Sequence, residues 1–273
     1  MKFSSKQNPN PYIIAEIGIN HMGSLAMAKK LIISAARAGV SAVKFQTYIT
    51  EKRVKKDSPI FNILKKCELR FEDFKVLKKI ADKNHVEFFS TPFDVESFDY
   101  LNKIGVNKIK IASFDVTNIK FLKYLSQFKK TFIMSVGMSE LKEIKKAYKI
   151  LRNKGRNEVI LLHCVSSYPT SEKDSNLECI KHLQKTFDCL IGQSDHTNDI
   201  FVPFCAGMMG AQVLEKHYKL DNKMSCVDAP VSITEKQMKN LVDMFKRANI
   251  SLGKAKFGIR SVEKPFRQYR RSS

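Results

Sequence analysis

Residues 190–220, LIGQSDHTNDIFVPFCAGMMGAQVLEKHYKL, decide the fold because they contain a complete strand–helix–strand unit. The segments LIGQS (190–194) and QVLEKHY (212–218) are short apolar strands, and VPFCAGMMG (202–210) is a helical pattern between them. A helix that leads from one strand to the next places the two strands parallel in one sheet. The unit therefore indicates an α/β fold whose strand ends meet at one edge.

The same unit repeats along the whole chain. The other strand-like segments are YIIAEIG (12–18), AVKFQT (42–47), EFFST (87–91), KIKIAS (108–113), FIMSVG (132–137) and VILLHC (159–164). Eight strand–helix units in about 250 residues predict a (β/α)8 TIM barrel, and Gly39, Gly105, Gly155 and Gly253 stand where helices would end. An open doubly wound sheet is the alternative, but it is disfavoured because the first strand leads into no GxGxxG motif and the chain has no Walker loop.

Composition narrows the class of protein. A chain of 273 residues with 43% hydrophobic and 10% aromatic residues has enough material for a large core. It has no run of ~20 apolar residues and no signal-peptide pattern, so we expect no membrane partner. Its six scattered cysteines include no CxxC pair, which indicates free thiols and a cytoplasmic location. We predict a barrel domain over residues 1–260 and a basic tail over residues 261–273.

The net charge of +21 is compatible with three kinds of partner: nucleic acid, a membrane surface or a small anionic substrate. The lysines lie mostly on predicted helix faces, as in KEIKKAYKILRNKGRN (142–157), and not in one block with interleaved aromatic residues. This distribution favours a solvated lysine-rich surface, and we expect no nucleic-acid partner. One long connection, residues 48–70, leaves the second strand at the end where sites form and is a candidate lid or substrate wall.

Polar side chains follow nearly every predicted strand, at the carboxyl end where TIM-barrel sites form. A single one of them could be an ordinary solvated strand tip, but eight together indicate a site. Lys44 and Lys110, with the strand-end hydroxyl groups, suit a small phosphorylated anion. His196 and His217 come from neighbouring strands and could share a metal with open positions for water and substrate, or could be unrelated polar residues.

Seven motifs in order carry a family resemblance: IIAEIGINHMGSLAMAKKLI, AGVSAVKFQTY, FFSTPFD, KIKIAS, LLHCVSSYPT, GQSDHT and LEKHYKLD. Over roughly residues 10–270 the chain resembles the catalytic barrel of the sialic acid synthase family. The resemblance implies that C3 of phosphoenolpyruvate attacks the aldehyde of an open-chain N-acetylmannosamine-type sugar, an N-acetylated hexosamine. Water then adds at C2 and phosphate leaves by C–O cleavage, while a divalent metal, Mn2+ or Mg2+, polarises the aldehyde.

The resemblance also implies roles for individual residues. The implied catalytic residues are Glu16, Glu215 and Asp115. The implied metal ligands are His196 and His217. The implied substrate-binding residues are Lys44, Gln46, Thr91, Lys110, Ser113, Ser135, Ser166, Tyr168, Ser194 and Asp228. Within the last group the lysines and the hydroxyls of Thr91, Ser113, Ser135 and Ser194 would hold phosphoenolpyruvate. Gln46, Tyr168 and Asp228 would face the sugar.

The chain departs from the family pattern at several points. Asp115 stands where many members have Glu, Ser166 where relatives often have Asn or Thr, and MSCVDAPVS (224–232) replaces the usual stretch around Asp228. The family normally continues into an antifreeze-like domain that gives an arginine to the N-acetyl group. We expect that domain to be absent here, with a homodimer or a separate cap polypeptide as possible partners and slow turnover by the barrel alone.

Three other functions remain open on the sequence. A related barrel could condense phosphoenolpyruvate with a phosphorylated aldose, which requires an Arg/Lys cluster for the second phosphate. The barrel could also act as a non-catalytic binding subunit. The third is a basic nucleic-acid-binding protein. For that function we expect the affinity for nucleic acid to fall steeply as the salt concentration rises.

Overall fold

The computed structural model describes residues 10–271 and confirms the TIM barrel. Within that range, parallel strands form a closed barrel in the order β1 to β8. They span Tyr12–Gly18 (β1), Ala42–Thr47 (β2), Glu87–Pro92 (β3), Lys108–Ile111 (β4), Thr131–Ser135 (β5), Glu158–Cys164 (β6), Ile191–Asp195 (β7) and Val213–His217 (β8). The ring closes between β1 and β8, where Tyr12 pairs with Val213 and Glu16 pairs with His217.

Helices surround the barrel and cover its outer face. They span Leu25–Arg37 (α1), Thr50–Arg53 (α2), Phe61–Cys67 (α3), Phe71–Lys83 (α4), Val95–Lys103 (α5), Ile119–Leu125 (α6), Leu141–Arg152 (α7), Glu178–Thr186 (α8), Phe201–Met208 (α9) and Glu235–Leu252 (α10). Both faces of most strands are buried, one inside the barrel and one under these helices. Continuous apolar strand segments are the expected pattern for such a doubly covered parallel sheet.

Local sequence signals set the helix ends. The Ser24 hydroxyl accepts a hydrogen bond from the Met27 amide at the start of α1, and the Asp94 carboxylate caps α5 by accepting one from the Ser97 amide. Gly39 and Gly105 follow α1 and α5 with φ of +86° and +77°, a backbone conformation that glycine adopts without a steric penalty. These signals end α1 and α5 a few residues before the next strand begins.

The long connection after β2 is a fixed wall and contains α2 and α3. The Tyr48 hydroxyl donates to the Leu64 carbonyl at 2.9 Å, and the Ile49 amide donates to Asp94 Oδ2 at 2.9 Å. Beneath it, Ile19, Tyr48, Leu64 and Cys67 form a small apolar cluster separate from the main core. These contacts hold the connection beside the carboxyl ends of the strands.

The chain leaves the barrel after α10. Ser261–Tyr269 forms a 3-10 segment, and the side chains of residues 254–271 are exposed. Within residues 10–271, no helix is both long enough and apolar enough to cross a lipid bilayer.

A glycine at the contact between α9 and α10 gives a test of this packing. A Cβ at Gly207 would lie 2.4 Å from two ring carbons of Phe245. We expect Gly207→Ala to lower the free energy of unfolding by about 1–3 kcal/mol, because overpacking forces the helices or the ring to shift. Urea denaturation measures the change. In a Phe245→Leu background the same substitution should cost less; an equal loss in both backgrounds would contradict this contact.

Candidate active site at the barrel mouth

The carboxyl ends of the strands surround a cavity of about 370 Å³, called here the mouth cavity. The sequence-predicted residues that line it are Glu16, Lys44, Gln46, Thr91, Lys110, Ser113, Ser135, Ser166, Tyr168, Ser194, His196, Glu215, His217 and Asp228. The structure therefore brings together every predicted site residue except Asp115. A second cavity of about 560 Å³ lies at the amino ends of β6 to β8 and contains none of them.

Buried charges occupy the deep end of the mouth cavity. Lys44 Nζ lies 2.8 Å from Glu16 Oε2, and the ammonium groups of Lys44 and Lys110 lie 3.8 and 3.6 Å from the same oxygen of Glu215. All four side chains are almost completely buried. Two positive and two negative groups thus stabilise one another where any of them alone would be costly.

Strand-end hydroxyl groups complete this network. Lys44 donates to Thr91 Oγ1 at 3.1 Å, Lys110 donates to Ser135 Oγ at 2.7 Å, and Ser194 donates to Glu215 Oε1 at 3.0 Å. Each bond joins side chains from neighbouring strands, so the barrel register fixes the positions of the charges. A small anion entering the cavity meets ammonium and hydroxyl donors that are already in place.

The ionisation of these groups reflects burial and their partners. Burial would raise the pKa of Glu215, but the nearby ammonium groups of Lys110 and Lys44 outweigh it and hold that pKa below its ordinary value. Burial lowers the pKa of Lys110, an effect that Glu215 only partly opposes. For Lys44, Glu16 and Glu215 overcome burial and raise the pKa.

His196 and His217 lie side by side at the ends of neighbouring strands β7 and β8, with ring centroids 5.4 Å apart. His196 Nδ1 lies 2.8 Å from the Val165 carbonyl oxygen, which can only accept, so this nitrogen carries the hydrogen and Nε2 keeps a lone pair. Burial lowers the pKa of His196 to about 3, and the ring is neutral at physiological pH. His217 Nδ1 lies 3.3 Å from Asp228 Oδ2, and Asp228 overcomes burial and raises the pKa of His217.

A group of residues between β1 and the segment after β8 positions Asp228. The Asn20 side-chain amide donates to the Tyr218 carbonyl and to Ser232 Oγ, while its oxygen accepts from the Asp228 amide at 3.0 Å. Asn20 is fully buried and lies at the end of β1. It therefore joins the two ends of the barrel ring and fixes the carboxylate beside His217.

The donor atoms of these histidines match those of metal-binding imidazoles. Each imidazole keeps Nε2 for a metal while Nδ1 faces a carbonyl or carboxylate oxygen, the arrangement usual for metal-binding histidines. In the part of the chain described, no cluster of three or more His, Cys, Asp or Glu side chains could hold a metal. Two imidazoles alone would leave coordination positions open for water and substrate.

Asp115 does not reach the mouth cavity. It ends a short 3-10 turn, Ser113–Asp115, and its Oδ1 accepts a hydrogen bond from the Asn118 side chain at 3.2 Å. Burial raises the pKa of Asp115 in spite of the nearby Arg53 guanidinium. The resemblance implied a catalytic role for Asp115, but the turn places this carboxylate outside the cavity lining.

The structure adds lining residues that the sequence reasoning missed. The most important is Arg53 at the end of α2, which donates from Nη1 to Gln46 Oε1 at 2.9 Å. Its guanidinium lies over the Phe93 ring, 3.7 Å from the centroid. The only sequence signal for it was its place in the connection after β2. Cys164 also lines the cavity, with its sulfur 3.8 Å from His196 Nδ1.

Other polar strand-end residues have structural roles. Lys216 and Asp195 form a buried ion pair of 2.6 Å outside the mouth cavity. His163 Nε2 lies 2.8 Å from the Ser175 carbonyl, and the His21 ring stacks on Phe45. Burial lowers the pKa of His21 to about 4. These four residues show that a polar strand end is not by itself a site.

Comparison with known proteins gives a consistent result. The model of the NeuB family matches residues 31–257. An N,N'-diacetyllegionaminic acid synthase of Legionella pneumophila is 37% identical over 280 residues, covering 96% of this chain and 79% of that protein. An uncharacterised protein of Methanocaldococcus jannaschii is 40% identical over 252 residues, covering 92% of this chain and 74% of its own length.

A solved structure agrees in fold and in sequence. The crystal structure of an N-acetylneuraminic acid synthetase from Leptospira borgpetersenii, in complex with citrate, superimposes with a TM-score of 0.90 at 36% identity. The superposition covers 98% of this chain and 93% of that one.

The histidine pair gives a prediction about metal binding. We expect His217→Ala to abolish tight Mn2+ binding in titration calorimetry, because one imidazole cannot hold the ion without the other. His182→Ala is the matched control, since it removes an exposed imidazole from α8 and should leave the affinity unchanged. Circular dichroism checks that both variants fold. Unchanged Mn2+ affinity in folded His217→Ala would rule out this ligand.

Proposed function

The chain belongs to the NeuB family of phosphoenolpyruvate-dependent nonulosonate synthases, and on that premise we propose that its acceptor is an N-acylated hexosamine of the N-acetylmannosamine type. The products would be a sugar acid of the N-acetylneuraminate or N,N'-diacetyllegionaminate class and inorganic phosphate. The observation that carries the phosphoenolpyruvate half of this reaction is the pair of lysine ammonium groups, those of Lys44 and Lys110, that lie 3.8 and 3.6 Å from Glu215 Oε1 at the deep end of the mouth cavity.

Phosphoenolpyruvate suits this end of the cavity because it carries two anionic groups on a small planar frame. Lys44 and Lys110 would neutralise its carboxylate and phosphate, with Thr91 and Ser135 as further donors. The Gly137 amide donates to Ser113 Oγ at 3.0 Å, and a Cβ at Gly137 would lie 2.5 Å from Ser166 Oγ. Both serines therefore sit against backbone in fixed positions near the anion.

The glutamates suit the charge that develops during the reaction. When C3 of phosphoenolpyruvate bonds to the aldehyde carbon, positive charge develops at C2, and the ionised Glu215 would stabilise it. Water then adds to C2, and Glu16, paired with Lys44 at 2.8 Å, would accept its proton. The aldehyde oxygen takes up a proton and becomes a hydroxyl group. The hydroxyl left on C2 loses its proton as the bond between C2 and the bridging oxygen breaks, so C2 becomes a carbonyl carbon and the phosphate leaves with that oxygen.

The family uses a divalent metal, and the histidine pair would hold it. His196 and His217 would ligate the ion through Nε2, and such an ion supplies Lewis-acid polarisation of the aldehyde oxygen. The carboxylate of Asp228 orients the His217 ring, and the Val165 carbonyl orients the His196 ring.

The nature of the acceptor is supported by the relatives and by the outer charges. The Legionella and Leptospira proteins are named for different products, and each of the two named products is an N-acetylated sugar acid. The outer part of the mouth cavity also carries negative charge, since burial lowers the pKa of Arg53 and the carboxylates of Asp115, Asp228 and Glu16 are near enough to oppose that shift. A second phosphate would be repelled by these carboxylates, which favours an unphosphorylated amino sugar over an aldose phosphate.

The lysine pair gives a prediction about anion binding. We expect Lys44→Met and Lys110→Met each to weaken phosphoenolpyruvate binding by roughly 1.5–3 kcal/mol, the range for hydrogen bonds to charged groups. Titration calorimetry measures it. Lys145→Met, which removes an exposed charge from α7, should leave the affinity unchanged. If neither mouth variant alters affinity, the anion binds elsewhere.

The reaction itself is tested with labelled substrate. Phosphoenolpyruvate carrying 18O in the C2–O–P bridge should release 18O-phosphate when an N-acetylated hexosamine is present, because the C–O bond breaks. N-Acetylmannosamine, a di-N-acetylated hexosamine and an aldose phosphate are compared as acceptors under Mn2+ or Mg2+. Turnover confined to the aldose phosphate would support the related condensing enzyme. Tight phosphoenolpyruvate binding without turnover on any acceptor would support a binding subunit.

A further inference from the structure

Arg53 is a cation in the mouth cavity that the protein only partly satisfies. Within residues 10–271 its one hydrogen bond is the 2.9 Å contact to Gln46 Oε1, and no carboxylate lies within ion-pairing distance of it. The side chain is only partly exposed, and burial lowers the pKa of the guanidinium. A guanidinium that is largely shielded from water needs acceptors for its remaining N–H groups. A bound ligand would supply them here.

The guanidinium is also held rigidly. It lies 3.7 Å from the centroid of the Phe93 ring and 4.7 Å from that of Tyr48, so it packs against two aromatic side chains. The Tyr48 hydroxyl is in turn bonded to the Leu64 carbonyl of the same wall. A planar donor fixed in this way can select for the position and shape of an acceptor group.

The surroundings decide which acceptor suits it. The negative charges of Glu16, Asp115 and Asp228 partly oppose the lowering of the Arg53 pKa by burial, and they would repel an anionic ligand group placed beside it. Ile19, Ile60, Phe93 and Phe114 line the same cavity and provide apolar surface. A neutral carbonyl oxygen attached to a small alkyl group matches both features.

We propose that Arg53 is a specificity-determining residue that donates hydrogen bonds to the carbonyl oxygen of an acylamino group on the acceptor sugar. This inference rests on the proposed function, because it assigns a residue to the acceptor of that reaction. The acyl carbon chain packs on the apolar part of the wall, and Arg53 keeps its bond to Gln46. An acceptor with a hydroxyl in place of the acylamino group leaves the guanidinium without that partner.

The test compares acylated and non-acylated sugars. In the presence of phosphoenolpyruvate, N-acetylmannosamine should bind the protein at least tenfold more tightly than mannose in calorimetry. Arg53→Leu should remove most of that preference, while its affinity for phosphoenolpyruvate stays within twofold of the original. Arg53→Lys keeps the charge without the planar fork and should show an intermediate preference. Lys52→Leu removes the adjacent exposed charge and should change neither affinity.

The outcomes separate this inference from the proposed function. Because sugar binding is measured directly, the preference for the acyl group is tested even if phosphate release fails for every acceptor. A folded Arg53→Leu protein that keeps the full preference would overturn the role of Arg53, as would an equal loss for both sugars. Tighter binding of N-acetylmannosamine 6-phosphate that depends on Arg53 would assign the guanidinium to a phosphate and also overturn the inference.

Discussion

The mutual neutralisation of Lys44, Lys110, Glu16 and Glu215 inside the barrel is the interaction on which the rest of the site depends. A single charge at this depth would cost several kcal/mol, and removing one partner leaves the others uncompensated. The four groups must therefore be arranged together, and the strands that carry them must keep their register. Hydroxyls of neighbouring strand ends bond Lys44, Lys110 and Oε1 of Glu215, so residues that hold the network also line the mouth cavity.

Strand alternation lets β8 serve two environments at once. Glu215 and His217 point into the mouth cavity, while Lys216 between them pairs with Asp195 at 2.6 Å and also donates to the Thr197 carbonyl. That second pair is buried outside the cavity, beside the loop that follows β7. A one-residue shift of β8 would exchange these two sets of partners and leave charges unpaired on both faces. The charged sequence at the end of β8 thus specifies the register of the strand.

The fold and much of the site could be predicted because both follow from periodic patterns. Strand bounds agree within about two residues, and side chains such as Lys44, Lys110 and Glu215 follow from strand alternation. Arg53 could not be predicted, since its position depends on the path of a connection fixed by Tyr48, Asp94 and a small apolar cluster. The position of Asp115 outside the cavity lining has a related reason: it follows β4 in a 3-10 turn, where strand alternation no longer sets the direction of a side chain.

Closure of the ring between β1 and β8 makes the site a product of the whole chain. Asn20 near the start holds Tyr218, Asp228 and Ser232, which lie some two hundred positions later. During synthesis β1 leaves the ribosome long before these partners exist. The edge of β1 that pairs with β8 therefore stays unpaired until β8 has been made. A nascent chain that lacks β8 has neither His217 nor the opposing wall of the cavity. The mouth cavity is therefore complete only after β8 has joined the ring, and a partly synthesised barrel exposes apolar surface that the finished protein buries.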